Sequence, residues 1–170
     1  MRVILFRHGP AGTRNASRWP DDAERPLTPV GENKSHRAAA GLRRIEKNVD
    51  RIMTSPLKRA ERTARIVGEE LGVECVDTLE ALAPGGTYAK VIEAVNGRPH
   101  GETIVLVGHE PDLGRLAAHL VFKNESALPL KKAGACAIRF DGPARAGSGT
   151  LEWLLPPRLL RGAGRKKTGT

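Results

Sequence analysis

The sequence predicts an α/β fold, with a mostly parallel central sheet covered by helices on both faces. Three observations lead there. Short apolar runs, beginning with Val3 to Phe6, alternate with longer segments whose apolar residues recur at helical spacing. Boundary signals separate them: Thr28-Pro29 and Ser55-Pro56 at helix starts, Gly72 and Gly97 at helix ends. Parallel neighbours need crossover connections, and the intervening helices supply them.

Taken in order, Val3 to Phe6 reads as a buried strand followed by a polar turn of Arg7, His8 and Gly9. Pro10 to Leu27 carries no periodic signal, which predicts a lid or binding loop, with Trp19 inside it. Thr28 and Pro29 open a helix running to about Lys47, with Ala38, Leu42 and Ile45 inward and Lys34, Arg37, Arg43 and Glu46 toward water. Arg51 to Thr54 is a second strand. Ser55-Pro56 repeats the cap-plus-proline signal before a helix whose inner face is Leu57, Ala60, Ala64, Val67 and Leu71, ended by Gly72. Val73 to Val76 reads as a third strand, Thr87 to Asn96 as a third helix and Thr103 to Val107 as a fourth strand. Asp112 can cap a helix to about Phe122. Ala135 to Phe140 and Thr150 to Leu155, bracketing a Gly/Pro loop, read as a hairpin.

At 170 residues, 39% of them hydrophobic, the chain can bury one core, and no repeat or linker divides it. One domain over residues 1–157 and a basic tail over 158–170 are expected. No apolar run approaches the roughly 18 residues of a membrane span, and the first is too short for a signal peptide. Cys75 and Cys136 both lie in apolar, strand-like runs, which predicts buried reduced thiols and a cytoplasmic setting. A formal charge of +9 raises nucleic acid as a partner, yet five of those charges follow Glu152, and aromatics for base stacking are scarce at 4%. The arginines of the body instead suit a pocket for an anionic substrate.

Ligands of such sheets bind beyond the carboxyl ends of strands, where His8 and His109 fall and where Arg59 opens the helix after another strand. Each has two readings. His8 sits in a solvated turn or is a nucleophile, since a neutral imidazole attacks phosphorus while an adjacent guanidinium holds two phosphoryl oxygens in its fork. Gly9 lets the backbone close round the bound group. Arg59 is a solvated helical arginine or part of an anion site at a helix start, and it has no carboxylate at helical spacing. His109 bonds a neighbouring carbonyl or completes the pocket. His36, His100 and His119 lack a second donor at metal-ligand spacing.

Three segments together are more specific: Arg7-His8-Gly9, the run from Ser55 to Ala64 (SPLKRAERTA), and Val107-Gly108-His109-Glu110-Pro111. In this order they resemble the histidine phosphatase (phosphoglycerate mutase-like) superfamily. The short length, with Arg25 to Gly31 and Leu82 to Gly86, resembles the SixA-type phosphohistidine phosphatases within it, and the likeness runs from Val3 to about Leu155. The resemblance implies a three-layer sandwich with His8 as phosphoacceptor, Arg7 and Arg59 gripping phosphoryl oxygens, and His109 completing the pocket. It implies no cofactor and no metal, because cationic side chains supply the charge.

Larger relatives use a glutamate between the middle and last motifs as general acid. Here the candidate is Glu80, although the SixA pattern puts Ala81 where an acid sometimes stands. Glu80 is therefore equally a solvated residue at a strand end. A phosphohistidine-bearing protein is the expected substrate, with small phosphoesters as the alternative. Mutase activity is disfavoured by the lack of insertions to reorient a sugar phosphate. A polyanion-binding module using the basic tail is disfavoured by the scarcity of aromatic residues, and a catalytically silent phosphoprotein binder by the presence of all four pocket residues.

Overall fold

A computed structural model describes residues 1–124 and 126–163. Its single sheet has six strands, β1 (Arg2–Arg7), β2 (Arg51–Thr54), β3 (Val76–Thr78), β4 (Thr103–Gly108), β5 (Ala135–Arg139) and β6 (Thr150–Leu155), in the order β3-β2-β4-β1-β5-β6. The first four run parallel, and β5 and β6 add the antiparallel hairpin at one edge. The helices are α1 (Pro29–Ile45), α2 (Lys58–Leu71), α3 (Tyr88–Asn96), α4 (Asp112–Phe122) and α5 (Pro157–Ala163). Among the described residues no helix is long and apolar enough to cross a membrane.

Period-two alternation divides the core. Ile4 and Phe6 of β1 point to one face with α1, α2 and α5, while Val3 and Leu5 point to the other with α3 and α4. The result is the expected three-layer arrangement. Thr28 Oγ1 accepts the Gly31 N–H at 2.9 Å with Pro29 in the first turn, so the predicted start of α1 is the observed one.

Several details differ from the sequence reading, each for a physical reason. Gly72 adopts the left-handed conformation (φ 73°) and turns the chain so that Val73 tucks into the core beside α2. Residues 73–75 are thereby spent on the helix ending, and β3 begins only at Val76. Cys75 falls outside the strand and is exposed, not buried, with its sulfur 2.7 Å from Arg51 Nη1. Cys136 is buried, and burial pushes its thiol pKa up to about 12.

Alpha1 ends at Ile45, which is exposed, and the next residue, Glu46, turns inward instead. Its carboxylate meets Arg2 at 2.9 Å and accepts the Trp153 Nε1–H at 3.0 Å. Alpha4 is preceded by Pro111, and Asp112 accepts the Gly85 N–H rather than capping its own helix. The boundary expected at residue 157 falls inside the packed structure, because α5 lies against α1 with Leu160 fully buried. The remainder of the basic tail, 164–170, lies outside the described residues.

Candidate active site

The parallel register brings the ends of three strands level. Arg7 pairs with Gly108 and Thr54 with Val107, and the ladder continues one residue further: His8 N–H donates to Gly108 O at 3.1 Å and Ser55 N–H to Val107 O at 3.0 Å. His8, Ser55 and His109 therefore leave one edge side by side. The rings of His8 and His109 lie 5.0 Å apart. Both are nearly enclosed, at 7% and 3% exposure, and Arg59 from the first turn of α2 is 4% exposed. Arg7, His8, Arg59 and His109 are brought together.

The His8 imidazole has a defined proton. His8 Nδ1 lies 2.7 Å from the Gly9 carbonyl, which can only accept, so Nδ1 carries the hydrogen and Nε2 the free lone pair. Burial, reinforced by His109 and then by Arg59 and Arg7, lowers the His8 pKa to about 3. Burial and Arg59 lower that of His109 to about 3 as well. Both rings are neutral at physiological pH, and the positive charge of the pocket resides on the two arginines.

Hydrogen bonds hold those arginines. Arg7 Nη1 donates to Leu130 O at 2.7 Å, and Glu110 anchors the same residue by accepting the Leu130 N–H at 2.8 Å. Arg59 donates through Nη1 to Asp22 O at 2.7 Å, while its Nη2 meets the Asp22 carboxylate at 3.1 Å. Asp22 is also gripped by Arg25, at 2.8 Å. Six buried side-chain nitrogen and oxygen atoms among the described residues lack a hydrogen-bond partner, and three of them are here: Arg7 Nε, Arg59 Nε and His109 Nδ1. Unsatisfied buried groups are costly, and three in one pocket suit a ligand with several acceptor oxygens.

The Gly9 backbone is seated by Thr63, whose Oγ1 accepts the Gly9 N–H at 3.1 Å and donates to Arg59 O at 2.7 Å. A side chain at Gly9 would put Cβ 2.1 Å from Ser35 Oγ, so this turn closes on α1 only with glycine. Glu80 is exposed at the start of a 3-10 turn, Glu80–Leu82. Ala81 and Leu82 of that turn, not Glu80, line a small cleft with His109. A larger cleft of about 530 Å³ between α2 and β3 is lined by Glu61, Glu69 and Glu74, and its charge suits no anion.

Sequence reasoning missed Asp22, Ser55 and Thr63 as parts of this site. Ser55 before Pro56 reads as a helix cap, yet α2 starts at Lys58 with no side-chain cap. Its hydroxyl accepts the Leu57 N–H at 3.3 Å and lies 2.8 Å from His109 Nε2. If Ser55 donates to Nε2, the His109 proton rests on Nδ1, the unpartnered nitrogen. The opposite tautomer would aim a lone pair at any anion bound there, so an anionic ligand selects Nδ1–H.

The sequence model of the histidine phosphatase superfamily (branch 1) matches residues 3–83. An uncharacterized protein of the cyanobacterium Picosynechococcus sp. is 36% identical over 170 residues, covering 92% of this chain and all of its relative. The chain belongs to the histidine phosphatase superfamily. Within that superfamily it is similar to the phosphohistidine phosphatase SixA of Escherichia coli, 29% identical over 95% of this chain and 97% of that one. A solved structure of the protein histidine phosphatase SixA complexed with tungstate superposes with a TM-score of 0.82 at 28% identity, covering 94% of this chain and 99% of the other. The fold is SixA-like and phosphoglycerate mutase-like, and the chain is a phosphatase of this superfamily.

Proposed function

We propose that this chain is a phosphohistidine protein phosphatase that passes the phosphoryl group through His8 without a metal ion. The observation that carries the reading is the oriented, neutral imidazole of His8, its Nδ1 proton held by Gly9 O, which leaves the Nε2 lone pair free, close to the charges of the buried Arg59 and the half-buried Arg7.

His8 Nε2 attacks phosphorus in line, and the bond from phosphorus to the leaving group breaks, its electron pair departing with that group. Arg7 and Arg59 hold the equatorial oxygens as they gain charge, and His109 Nδ1–H donates to one of them. Water then attacks the phosphorus of phospho-His8, the P–N bond breaks with its pair returning to Nε2, and inorganic phosphate leaves. The two guanidinium groups supply the charge that a divalent ion supplies elsewhere. Gly9 lets the turn approach closely enough for His8 to reach the phosphorus.

Two features support a phosphohistidine substrate. The first is kinship with SixA, whose tungstate complex places a tetrahedral oxyanion on the same fold. The second is the surroundings of His109, where Ala81 rather than a carboxylate lines the cleft and Glu80 is exposed. An imidazole leaving group can be protonated in advance and needs little help from a buried acid, whereas an alkoxide needs much. The two free thiols, Cys75 and Cys136, support a reducing cytoplasmic setting.

The test compares kcat/KM for a histidine-phosphorylated protein with kcat/KM for a panel of small phosphoesters. A clear preference for the phosphoprotein is expected. Faster turnover of any small ester would transfer the assignment to a phosphatase of small phosphoesters using the same four residues.

A further inference from the structure

Beyond the phosphoryl pocket, the surface that leads away from it is basic in one direction. Asp22, which holds Arg59, lines a cavity of about 350 Å³ with Arg14 and Trp19. Trp19 also lines a neighbouring cavity of about 260 Å³ with Arg18, whose guanidinium sits 5.5 Å over the indole ring. That second cavity reaches Pro29 at the start of α1. Pro29 in turn lines a third, of about 590 Å³, with Val30, Lys34, Arg37 and Arg161.

These adjoining cavities form a track from the rim of the site along the outer side of α1 to α5. Asp21 and Asp22 are its acids, and both are engaged, Asp21 in accepting the Ala23 N–H and Asp22 by arginines. Lys34, Arg37 and Arg161 have no carboxylate partner among the described residues. Val30 beside them is 61% exposed. The sequence beyond Ala163 continues with the same sign, in Arg165, Lys166 and Lys167.

Unpaired cations around a small apolar surface, on a track that starts at Asp22 beside the phosphoryl pocket, fit a negatively charged polypeptide. We infer that this track is a docking groove for an acidic segment of the phosphorylated protein, recognised through Lys34, Arg37 and Arg161. The inference rests on the phosphoprotein reading above and deepens it: the pocket recognises the phosphoryl group, and the groove selects its carrier.

The first measurement is equilibrium binding of an unphosphorylated Asp/Glu-rich peptide to the full chain by calorimetry, which involves no turnover. Binding should weaken about tenfold in the variant Lys34→Glu, Arg37→Glu, Arg161→Glu, and in wild type on raising salt. A control variant, Lys90→Glu, Arg115→Glu, Arg145→Glu, carries the same change of net charge away from the groove and should bind as wild type does. The corresponding triple-alanine variant of the groove should lose part of the affinity without added repulsion. Equal binding by the groove variant, or equal loss in both glutamate variants, would overturn the groove.

The second measurement is turnover of two synthetic phosphohistidine peptides, one with Asp/Glu flanks and one with Ser/Gln flanks. Wild type should favour the acidic peptide through KM, and the groove variant should treat both alike while hydrolysing para-nitrophenyl phosphate normally. A preference retained in the variant would also overturn the groove. No turnover of either phosphohistidine peptide, with charge-specific binding intact, would instead sink the phosphohistidine substrate and leave the groove standing.

Discussion

The carboxyl edge of the sheet and the loop over residues 10–27 both contribute to the pocket, but different forces hold them. His8, Ser55 and His109 are placed by ladder hydrogen bonds that run through the buried strands β1, β2 and β4. Moving any of them would break main-chain pairing and disturb core side chains such as Phe6 and Leu106. The loop is tied by an isolated bridge between Ala11 and Leu27, by the Asp21 cap of a 3-10 turn and by the arginine contacts of Asp22. The proposed nucleophile, His8, thus rests on the rigid region. The loop adjusts a cation from outside.

If that division holds, the largest effect belongs to the edge. His8→Ala should abolish turnover while leaving thermal stability nearly unchanged, because the side chain packs at the end of a strand and not within the core. Radiolabelled phosphate trapped on wild type should map to His8, and a label on another residue would reject the assignment. Arg59→Ala should follow with a loss of about 10²-fold or more in kcat/KM, since its contacts strengthen as the phosphoryl group flattens. Arg59→Lys should recover only part, an ammonium having no planar fork. Near-normal kinetics for Arg59→Ala would return that residue to a structural role with Asp22.

The same division explains what the sequence made legible. His8 and His109 are the first residues after β1 and β4, so strand-period reasoning put them beyond the ends of strands, with Arg59 at the helix start after β2, while the family resemblance was needed to join them with Arg7 in one pocket. Asp22 was not legible, because its role depends on how an aperiodic loop folds back across 37 residues of sequence to α2. Ser55 was hidden by a local rule that applied equally well, as serine before proline also signals a helix cap. Alpha5 was missed because its short apolar pair, Leu159 and Leu160, lies among basic residues, and only contact with α1 makes Leu160 a core residue. Signals confined to a few neighbouring residues survive in the sequence; those created by tertiary closure do not.

Ser55 sharpens the comparison from the edge side. Ser55→Ala should lower kcat about tenfold with a smaller change in KM, because His109 remains in place but loses the bond that selects its tautomer. Ser55→Thr should restore much of the activity. The pH profile separates this from a change of charge. With both histidines depressed to about 3 they stay neutral as pH falls through 6.5, so neither should add a limb near 6.5 to kcat/KM, and wild type and variant should share one acid limb set by the phosphoryl group of the substrate. An additional acid limb near 6.5 in the Ser55→Ala protein, absent from wild type, would show that the hydroxyl controls protonation instead. From the loop side, Asp22→Asn keeps the shape and removes the charge. It should lower kcat severalfold by loosening Arg59, yet tighten inhibition by inorganic phosphate, since one negative charge has left the rim. A loss as large as that of Arg59→Ala would place the loop on an equal footing with the edge.

The smallest effect is expected at Glu80. Its carboxylate is exposed, and the neighbouring Ala81 is the residue that faces the cleft beside His109. A proton donor contributes in proportion to the charge left on the departing atom, so any help from Glu80 should matter for an alkoxide and hardly at all for imidazole. Glu80→Gln is therefore expected to leave phosphohistidine hydrolysis within about twofold of wild type and to slow alkyl phosphoester hydrolysis more. Both substrates should be measured on one preparation of the variant. Equal losses on the two would assign Glu80 to positioning of the 3-10 turn, while no loss on either would make it a surface residue. A converse substitution carries the same logic into the cleft: Ala81→Glu should raise alkyl ester turnover relative to phosphohistidine, because it adds a carboxyl group at the position beside His109 where the leaving oxygen would need a proton.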